Sequence, residues 1–591
     1  MRKHILASSI ALALLGACGS PTPGHLPPAA PTDSTASSRN VLVIGGTIRV
    51  AAPAWTLAQA LYSEDGRVIA VGGEAEVRAV ARAPYTTIDL AGAVAVPGLI
   101  DAHGHLEGLG ESLEALDLRG IQSYAALIEV VARRAAEQPA GTWILGRGWD
   151  QNLWESGKFP HHMELSRRVA DHPVLLERVD GHASLANARA LEVAGLSRVQ
   201  ADEFPVPGGR MLLDSDGRPT GVFIDNAAAL VGRHVPVPDL ASRERRVLRA
   251  QEELFSKGLT GLHDMGEDFE LAGILGRLSA RGPLKLQVAG YLSQAAVESL
   301  EHDLPPGMTP PSGLKGSSTP TYNVHGAKLY MDGALGSRGA ALLADYSDEP
   351  GNRGLAFLEP ERLGELLTRC NGLRLQPAIH AIGDLGNRRV LDGFAALLAA
   401  EPTFAALRPR IEHAQVVSRD DWPRFLTLGV IPSMQPTHAT SDMPWAPARL
   451  GAERVEGAYA WRRLDPSSLA LAFGSDCPVE LCDPLAGLYA AITCADPNGK
   501  PDQGYRPDQR LDAGVALAGY TLNAARAAHQ ESQFGSLLPG FFANLTVLDV
   551  DPLVCAPSEL LGGGHVRMTI VRGEVVYRSA SKVTFARELA R

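Results

Sequence analysis

Residues 96–105, VPGLIDAHGH, join an apolar run to two histidines that lie two positions apart. A short apolar run bounded by Pro-Gly is typical of a buried β-strand. Side chains alternate along a strand, so His103 and His105 point the same way and could bind one metal ion. A His-X-His pair is common by chance, so it gains weight only if other strands end in similar residues.

Seven more segments have the same short, apolar, β-rich character. They are residues 258–266, 284–292, 324–333, 375–384, 409–415, 429–436 and 469–476. Helical segments such as residues 360–372 lie between most of them, which is the spacing of right-handed βα crossovers. Eight parallel strands can close a barrel. The sequence therefore predicts an α/β fold built on a (β/α)₈ TIM-like barrel.

Chemically active side chains occur near the ends of later strands, at Lys328, His380, His413 and Asp476. The carboxyl ends of barrel strands meet at one mouth, so we expect these residues to converge with the first two histidines. Imidazoles and a carboxylate suit Zn²⁺ and similar cations and leave positions open for water. A lysine on a strand is often a salt-bridge partner, and Asp after Gly-Ser is often a helix cap. Six such residues at five strand ends nevertheless favour a metal site.

β-Rich segments also occur at both ends of the chain, in residues 41–50, 67–73, 86–98, 543–550 and 566–578. We expect residues 40–98 and 535–591 to form one composite β-sandwich around a barrel of residues 99–534. The stretch from about 110 to 257 is too long for one βα loop, so it predicts an insertion after the first barrel strand.

The first 39 residues differ from the rest. Arg2 and Lys3 precede an apolar run, and small residues follow before Cys18, which predicts a signal peptide over residues 1–17. The sequence LGAC resembles the bacterial lipobox, in which the cysteine is lipidated. Residues 18–39, rich in Pro, Ser and Thr, would form a flexible tether. We therefore expect a lipoprotein on the periplasmic face of a bacterial membrane, or a periplasmic protein if Cys18 is incidental.

Composition excludes several classes of protein. The 591 residues carry 55 Lys+Arg and 66 Asp+Glu, a net charge of -11. No basic run interleaved with aromatic residues occurs, which argues against nucleic acid and favours a small-molecule substrate. Contact with a membrane is expected only through the N-terminal lipid, and oligomeric state is not encoded in any visible pattern. Beyond Cys18, five cysteines remain and are expected to be buried thiols, with a Cys477–Cys482 bridge left open.

Five short motifs together resemble the amidohydrolase superfamily. They are VPGLIDAHGH (96–105), KLYMDGALGSR (328–338), HAIGD (380–384), EHA (412–414) and FGSD (473–476). The resemblance runs from about residue 40 to 578. It is closest to the amidohydrolase 3 group, which includes the YtcJ-like proteins and N-substituted formamide deformylase. It implies a metal-dependent hydrolase barrel.

The resemblance also implies roles for the site residues. His103 and His105 would bind one metal ion and His380 and His413 a second, with Lys328, carboxylated by CO₂, bridging the two. Without that modification the site would hold one ion. Asp476 would contact the first ion and the attacking water and act as the catalytic acid and base. Asn544 stands where the family usually has Asp, which we expect to affect packing in the sandwich.

Auxiliary residues are predicted with alternatives. Candidate donors to the tetrahedral oxyanion are His182, His263 and His438. A histidine such as His263 could instead bond within the barrel. Asp332 and Arg338 would fix Lys328 or form a structural ion pair. Trp149, Trp154 and Trp445 would line an apolar pocket or pack in a core.

Substrate is the least determined property. The superfamily hydrolyses amides, ureas, lactones, phosphoesters and amino-heterocycles. We expect hydrolysis of a small amide-type C–N bond in an N-acyl or N-formyl compound, and the alternatives are a lactone, an ester or an amino-heterocycle. A substrate-binding lipoprotein without catalysis is a third hypothesis. Zn²⁺ is the expected ion, although Fe, Mn, Ni and Co accept the same ligands.

Overall fold

The computed structural model describes residues 40–178, 183–197, 209–300, 321–467, 470–562 and 565–580. The predicted signal peptide, the tether and Cys18 lie outside these residues.

The strands up to the first long helices are β1 (Val41–Ile44), β2 (Thr47–Arg49), β3 (Leu57–Ala58), β4 (Ala60–Glu64), β5 (Arg67–Gly72), β6 (Thr86–Asp89), β7 (Val94–Pro97) and β8 (Leu99–Gly104). The next are β9 (Leu116–Asp117), β10 (Ile144–Trp149), β11 (Val174–Arg178), β12 (Ala183–Ala186), β13 (Gly209–Leu213) and β14 (Pro219–Asp225). The remaining strands are β15 (Leu259–Glu267), β16 (Gln287–Ser293), β17 (Tyr322–Tyr330), β18 (Gln376–Ala381), β19 (Arg410–His413), β20 (Ile431–Met434), β21 (Ala472–Phe473), β22 (Leu545–Leu548), β23 (Val566–Val571) and β24 (Glu574–Arg578).

The α-helices of the first half are α1 (Glu74–Val80), α2 (Leu106–Glu114), α3 (Tyr124–Ala136), α4 (Met163–Arg168), α5 (Ala188–Val193), α6 (Ala229–Gly232), α7 (Leu240–Ser256), α8 (Phe269–Arg281) and α9 (Gln294–Ser299). Those of the second half are α10 (Pro360–Leu373), α11 (Asp384–Ala400), α12 (Trp422–Leu428), α13 (Pro436–Asp442), α14 (Ala446–Arg454), α15 (Trp461–Leu464), α16 (Pro484–Thr493), α17 (Ala513–Gly519) and α18 (Leu522–Ala527).

Eight parallel strands form the central sheet, in the order β8, β15, β16, β17, β18, β19, β20 and β21. Each overlaps one of the eight segments predicted from the sequence. Two backbone hydrogen bonds join the first strand to the segment after the last, from the Asp476 N–H to the His103 carbonyl (2.7 Å) and from the His105 N–H to the Cys477 carbonyl (2.8 Å). The predicted α/β barrel is confirmed.

Helix boundaries follow capping residues in the sequence. The Asp268 side chain accepts the Leu271 N–H at the start of α8, and Gly282 ends that helix with φ +97°. Pro360 occupies the first turn of α10, where its missing N–H has no intrahelical partner. α10 matches the predicted helix of residues 360–372.

Strands from both ends of the chain share one sheet beside the barrel. Its order is β24, β23, β22, β7, β2 and β3, and a second sheet has the order β5, β4, β1 and β6. β22 runs antiparallel to β7, with Leu545 opposite Pro97 and Leu548 opposite Val94. Side chains of the two sheets pack into one buried cluster that includes Val43, Ala95 and Ile570. The chain ends therefore meet in a composite two-sheet unit.

Two segments that read as continuous strands are each divided between these sheets. Residues 41–50 become β1 and β2, and residues 86–98 become β6 and β7. The first division falls at Gly45, whose φ of +75° is a left-handed conformation that favours glycine. The apolar pattern predicted the strands. It did not show the point at which the backbone passes from one sheet to the other.

Asn544 has a structural role in this unit. Its side-chain oxygen accepts the N–H of Arg572, which lies in the hairpin turn between β23 and β24. The side chain is buried and remote in the chain from the strand ends of the barrel.

The insertion after the first barrel strand forms a sheet of its own. The strand order in this sheet is β13, β14, β12, β11, β10 and β9. All six strands lie between β8 and β15 along the chain. A separate apolar cluster fills its core, and Trp149 and Trp154 belong to that cluster. The indole N–H of Trp149 donates to the Leu176 carbonyl (2.9 Å) and that of Trp154 to the Ile121 carbonyl (3.1 Å). Of the two alternatives that the sequence left open for these tryptophans, the structure shows the second, because both pack in the core of the insertion.

The cysteines of the described chain are free thiols. Cys370, Cys477, Cys482 and Cys494 are buried and Cys555 is half-buried. The Cys477–Cys482 bridge that the sequence left open is not formed. Within the described residues, no helix combines the length and apolar character needed to cross a membrane.

The composite sheet predicts that the C-terminal strands are part of the stable fold. Replacing the fully buried Ile570 by Ala should lower the free energy of unfolding by about 2–5 kcal/mol, because it removes apolar contacts and leaves a cavity. Denaturant titration followed by circular dichroism measures this effect. Val554→Ala, at a side chain 72% exposed, is the control and should change stability by less than about 0.5 kcal/mol. Equal midpoints for the two variants would contradict the shared core.

Candidate metal centre

The strand ends bring the predicted ligands together. The imidazole centroids of His103 and His413 are 4.9 Å apart, and those of His380 and His413 are 4.6 Å apart. Lys328 Nζ lies 3.3 Å from His103 Nε2, and Asp476 Oδ1 lies 3.0 Å from His105 Nε2. These residues come from five strand ends, and they converge because parallel barrel strands present their carboxyl ends on one side.

The tightest group consists of His103, His413 and Asp476. Each offers one ligand atom, all three atoms lie within 4.8 Å of one another, and all three residues are buried. Nitrogen and oxygen atoms so placed can contact one cation at about 2.0–2.2 Å. His105, whose side chain is 31% exposed, lies at the solvent side of this group.

Three of the histidines have Nδ1 occupied by an acceptor that faces away from the centre. His103 Nδ1 contacts Glu412 Oε2 (2.6 Å), His105 Nδ1 contacts the Met265 carbonyl (2.8 Å), and His413 Nδ1 contacts Gln435 Oε1 (2.8 Å). Since each partner can only accept, each Nδ1 carries a proton, and in the neutral ring Nε2 is therefore the nitrogen that presents a lone pair. Partners of this kind orient metal-binding imidazoles in proteins.

The lone pairs face a carboxylate. Nε2 of His105 and of His103 lie 3.0 and 3.4 Å from Asp476 Oδ1. Two electron pairs at that separation repel each other unless a proton or a metal ion lies between them. The donor set therefore fits a divalent cation.

A buried ion pair supports His103 from below. Arg410 Nε lies 2.8 Å from Glu412 Oε1, and both side chains are fully buried. Burial raises the pKa of Glu412, but the Arg410 guanidinium and the His103 hydrogen bond lower that pKa by more, so the carboxyl stays ionised. Glu412 is part of the EHA motif, although the sequence analysis assigned a role only to the histidine.

Asp101 is a second supporting carboxylate that the sequence analysis missed. Its Oδ1 accepts the backbone N–H of His103 (3.1 Å) and of Ser475 (3.0 Å), and its Oδ2 accepts the Ser475 hydroxyl. Burial raises the pKa of Asp101 to about 6. These bonds hold the first strand end against the segment that carries Asp476. The signal was present, because Asp101 lies two residues before His103 and thus on the same face of the strand.

Lys328 lies inside the site with 1% of its surface exposed. Burial lowers the pKa of its amine to about 8. Much more of this amine is uncharged at neutral pH than is the case for an exposed lysine, whose ordinary pKa is about 10.4.

Of the three predicted oxyanion donors, His438 lies at the site. Its Nε2 is 3.8 Å from Asp476 Oδ2, and its ring stacks on His413 with centroids 5.9 Å apart. This buried nitrogen has no hydrogen-bond partner among the described residues. His263 lies deeper in the barrel, where its Nδ1 contacts Arg410 (2.9 Å), which is the alternative of a bond within the barrel that the sequence left open. His182 lies outside the described residues.

Asp332 supports the loops behind His380. Its carboxylate accepts the backbone N–H groups of Ala341, Ile382 and Gly383, and its Oδ1 lies 3.5 Å from His380 Nε2. Burial raises the pKa of Asp332 to about 7. The predicted contact with Lys328 is therefore replaced by one with another proposed ligand.

Arg338 and Trp445 lie beyond these loops. Arg338 pairs with Asp348 (3.0 Å) and Glu349 (3.3 Å), which is the structural ion pair left open by the sequence and not a contact with Lys328. Trp445 is half-buried beside Arg449, whose guanidinium lies 5.8 Å from the ring centroid. Trp445 also contacts Gly336, so it packs the loop after β17 against the loop after β20.

Comparison with known proteins agrees with this geometry. The model of the amidohydrolase family matches residues 86–577. The chain belongs to the amidohydrolase family. It is 30% identical over 533 residues to the "Putative amidohydrolase YtcJ" of Bacillus subtilis, covering 88% of this chain and 96% of that protein. It is 27% identical to the N-substituted formamide deformylase of Arthrobacter pascens, covering 88% and 95% of the two chains.

A solved structure extends the comparison to the fold. An uncharacterized metal-dependent hydrolase from Pyrococcus horikoshii superposes with a TM-score of 0.73 at 30% identity, over 89% of this chain and 99% of that one. Family, fold and site together identify this protein as a metal-dependent hydrolase of the amidohydrolase family.

The Glu412 contact predicts a loss of metal affinity when its charge is removed. Glu412→Gln keeps the size of the side chain but presents an amide to His103 and leaves Arg410 without a buried counter-ion. Metal affinity should fall about 10- to 100-fold, as measured by metal analysis after dialysis against graded chelator. Glu531→Gln, in a half-exposed pair with Arg408, is the matched control. Equal metal retention by both variants would contradict a supporting role for Glu412.

Proposed function

We propose that this protein hydrolyses a small amide-type C–N bond, in an N-acyl or N-formyl compound, at the centre formed by His103, His105, Lys328, His380, His413 and Asp476. The observation that carries this proposal is the set of Nε2 lone pairs directed at the Asp476 carboxylate. The relative named N-substituted formamide deformylase supports an N-formyl substrate.

One divalent ion, with Zn²⁺ the first choice, fits the group of His103, His413 and Asp476. This group takes ligands from both of the metal sites implied by the resemblance. A second ion would require the carboxylate of a modified Lys328. A bound ion would polarise a carbonyl group and lower the pKa of water from about 15.7 toward 7.

Lys328 is suited to that modification. Its amine is buried with a lowered pKa, and the uncharged amine is the form that reacts with CO₂. The nitrogen lone pair forms an N–C bond, a proton leaves to solvent, and a carbamate anion replaces a cation. A dicationic site favours the anion and disfavours the ammonium.

Asp476 moves the proton. Its carboxylate, ionised at neutral pH, accepts a proton as the water oxygen forms a bond to the carbonyl carbon. It then donates that proton to the nitrogen as the C–N bond breaks, which gives a carboxylic acid and an amine. His438 Nε2, 3.8 Å from the same carboxylate, lies where it can contact the departing group.

The test is a substrate screen with metal control. Protein stripped by chelator and reconstituted with Zn²⁺ should release amine from N-formyl or N-acyl compounds, whereas stripped protein should not.

Asp476→Asn should lower kcat about 10²- to 10⁴-fold, measured by amine quantification at equal protein concentration. Asp483→Asn, at the cap of α16, is a control and should keep activity. Release of acid from lactones or esters without release of amine would show that the protein is a lactone or ester hydrolase. Binding of these compounds without turnover would favour the hypothesis of a non-catalytic binding protein.

We also propose that the chain is exported and anchored to the periplasmic face of a bacterial membrane through lipid on Cys18. The apolar run and the LGAC sequence at residues 15–18 support this. In a bacterial host, the full chain should fractionate with membranes and incorporate labelled palmitate. Cys18→Ser should remove the label and release the protein to the soluble fraction, while Cys555→Ser should not. Labelling that persists in Cys18→Ser would contradict the anchor.

A further inference from the structure

Tyr330 ends β17 and is the exposed residue of a strand whose other eight residues are buried. Side chains two positions apart on a strand share a face, so Tyr330 lies on the same side as Lys328. The Tyr330 ring centroid is 5.1 Å from Lys328 Nζ and 5.6 Å from the His380 imidazole. Its exposed fraction of 38% places it at the solvent side of the metal centre.

The Tyr330 hydroxyl has no hydrogen-bond partner within the described part of the chain. It lies above the end of β15, because a Cβ added to Gly266 would come within 3.7 Å of the phenolic oxygen. Since β16 separates β15 from β17, the ring crosses the end of β16. Tyr330 therefore forms a wall of the mouth and presents an unused donor there.

Asp476 and His438 lie across the mouth from this wall. Asp476 follows β21, and His438 follows β20, which is four strands from β16 in the eight-stranded order. Four strands is half the circumference of the barrel. A substrate at the metal centre must therefore lie between Tyr330 on one side and the Asp476–His438 pair on the other.

The two sides determine how an amide would be oriented. The leaving nitrogen must approach Asp476 to receive a proton. The carbonyl oxygen and the nitrogen of a planar amide leave the carbonyl carbon in different directions, so an amide whose nitrogen lies at Asp476 can place its oxygen on the side of Lys328, His380 and Tyr330. A phenol, with an ordinary pKa of about 10, is protonated at neutral pH and can donate.

We infer that the Tyr330 hydroxyl donates a hydrogen bond to the carbonyl oxygen of the substrate and to the oxyanion that forms from it. This inference rests on the proposed function, since it uses Asp476 as the proton donor to the leaving nitrogen. It supplies a donor that the sequence analysis sought among histidines. A donor directed at a developing oxyanion contributes about 10²- to 10³-fold to kcat in enclosed sites, and the partial exposure of Tyr330 reduces this to about 10- to 100-fold.

Tyr330→Phe removes the hydroxyl and keeps the ring. In the Zn²⁺-reconstituted holoenzyme, kcat should fall about 10- to 100-fold, KM should change less than about threefold, and metal content should not change. The affinity for a phosphinate analogue of the substrate, in which an anionic oxygen replaces the oxyanion, should fall by a similar factor. A purely structural tyrosine would not weaken the oxyanion analogue selectively relative to the substrate.

Tyr577→Phe, at a half-buried tyrosine of β24 in the composite sheet, is the matched control and should match wild type in both assays. Kinetics or phosphinate affinity within twofold of wild type for Tyr330→Phe would overturn the inference.

Failure of the proposed function has a different signature, because the wild type would then release no amine. If an ester or lactone proves to be the substrate, the same variant still tests the inference through its carbonyl oxygen. Phosphinate analogues of the screened N-acyl compounds bind without turnover, so their affinity still compares Tyr330→Phe with wild type if no amine is released.

Discussion

The buried contact between Arg410 and Glu412 supports the rest of the metal centre. An isolated charge in a protein interior is strongly unfavourable, so each of these groups needs the other. The remaining donors of Arg410 reach the Ala102 carbonyl, the Ser433 hydroxyl and the Tyr291 hydroxyl. One guanidinium thereby connects β19 to β8, β20 and β16 beneath the mouth. Glu412 then fixes the proton of His103 on Nδ1, which leaves the other ring nitrogen for a metal ion.

Two other histidines of the centre are also oriented by an acceptor at Nδ1, but the accepting group differs. A carbonyl oxygen accepts from Nδ1 of His105, and an amide oxygen accepts from Nδ1 of His413. In each case a group on a neighbouring strand end or loop orients the imidazole. The orientation of these imidazoles thus depends on the closed barrel as much as on the histidines themselves.

Much of the fold and of the ligand set could be predicted because both follow from local patterns. The barrel strands are short apolar runs, and a residue at the end of a parallel strand reaches the mouth whatever lies elsewhere. His263 shows where this reasoning fails. It lies on a barrel strand like the ligands, but four residues before the strand end, and depth in the barrel decides that it contacts Arg410. The position of Trp149 could not be decided from the sequence for another reason. An aromatic residue in a segment expected to cover a pocket gives no indication of whether its side chain faces the pocket or the core of its own sheet.

The sequence by itself determined the eight strands, the side chains that meet at the candidate centre and the pairing of β-structure from the two terminal regions. These depend on residue type and on periodicities of two or three to four residues, which can be read along one chain. Only the tertiary structure decided which groups orient the imidazoles, how the terminal strands divide between two sheets, and that Tyr330 lies across the mouth from Asp476. Those relations join different strands and loops, and their distances depend on barrel closure and side-chain packing, which no local pattern encodes.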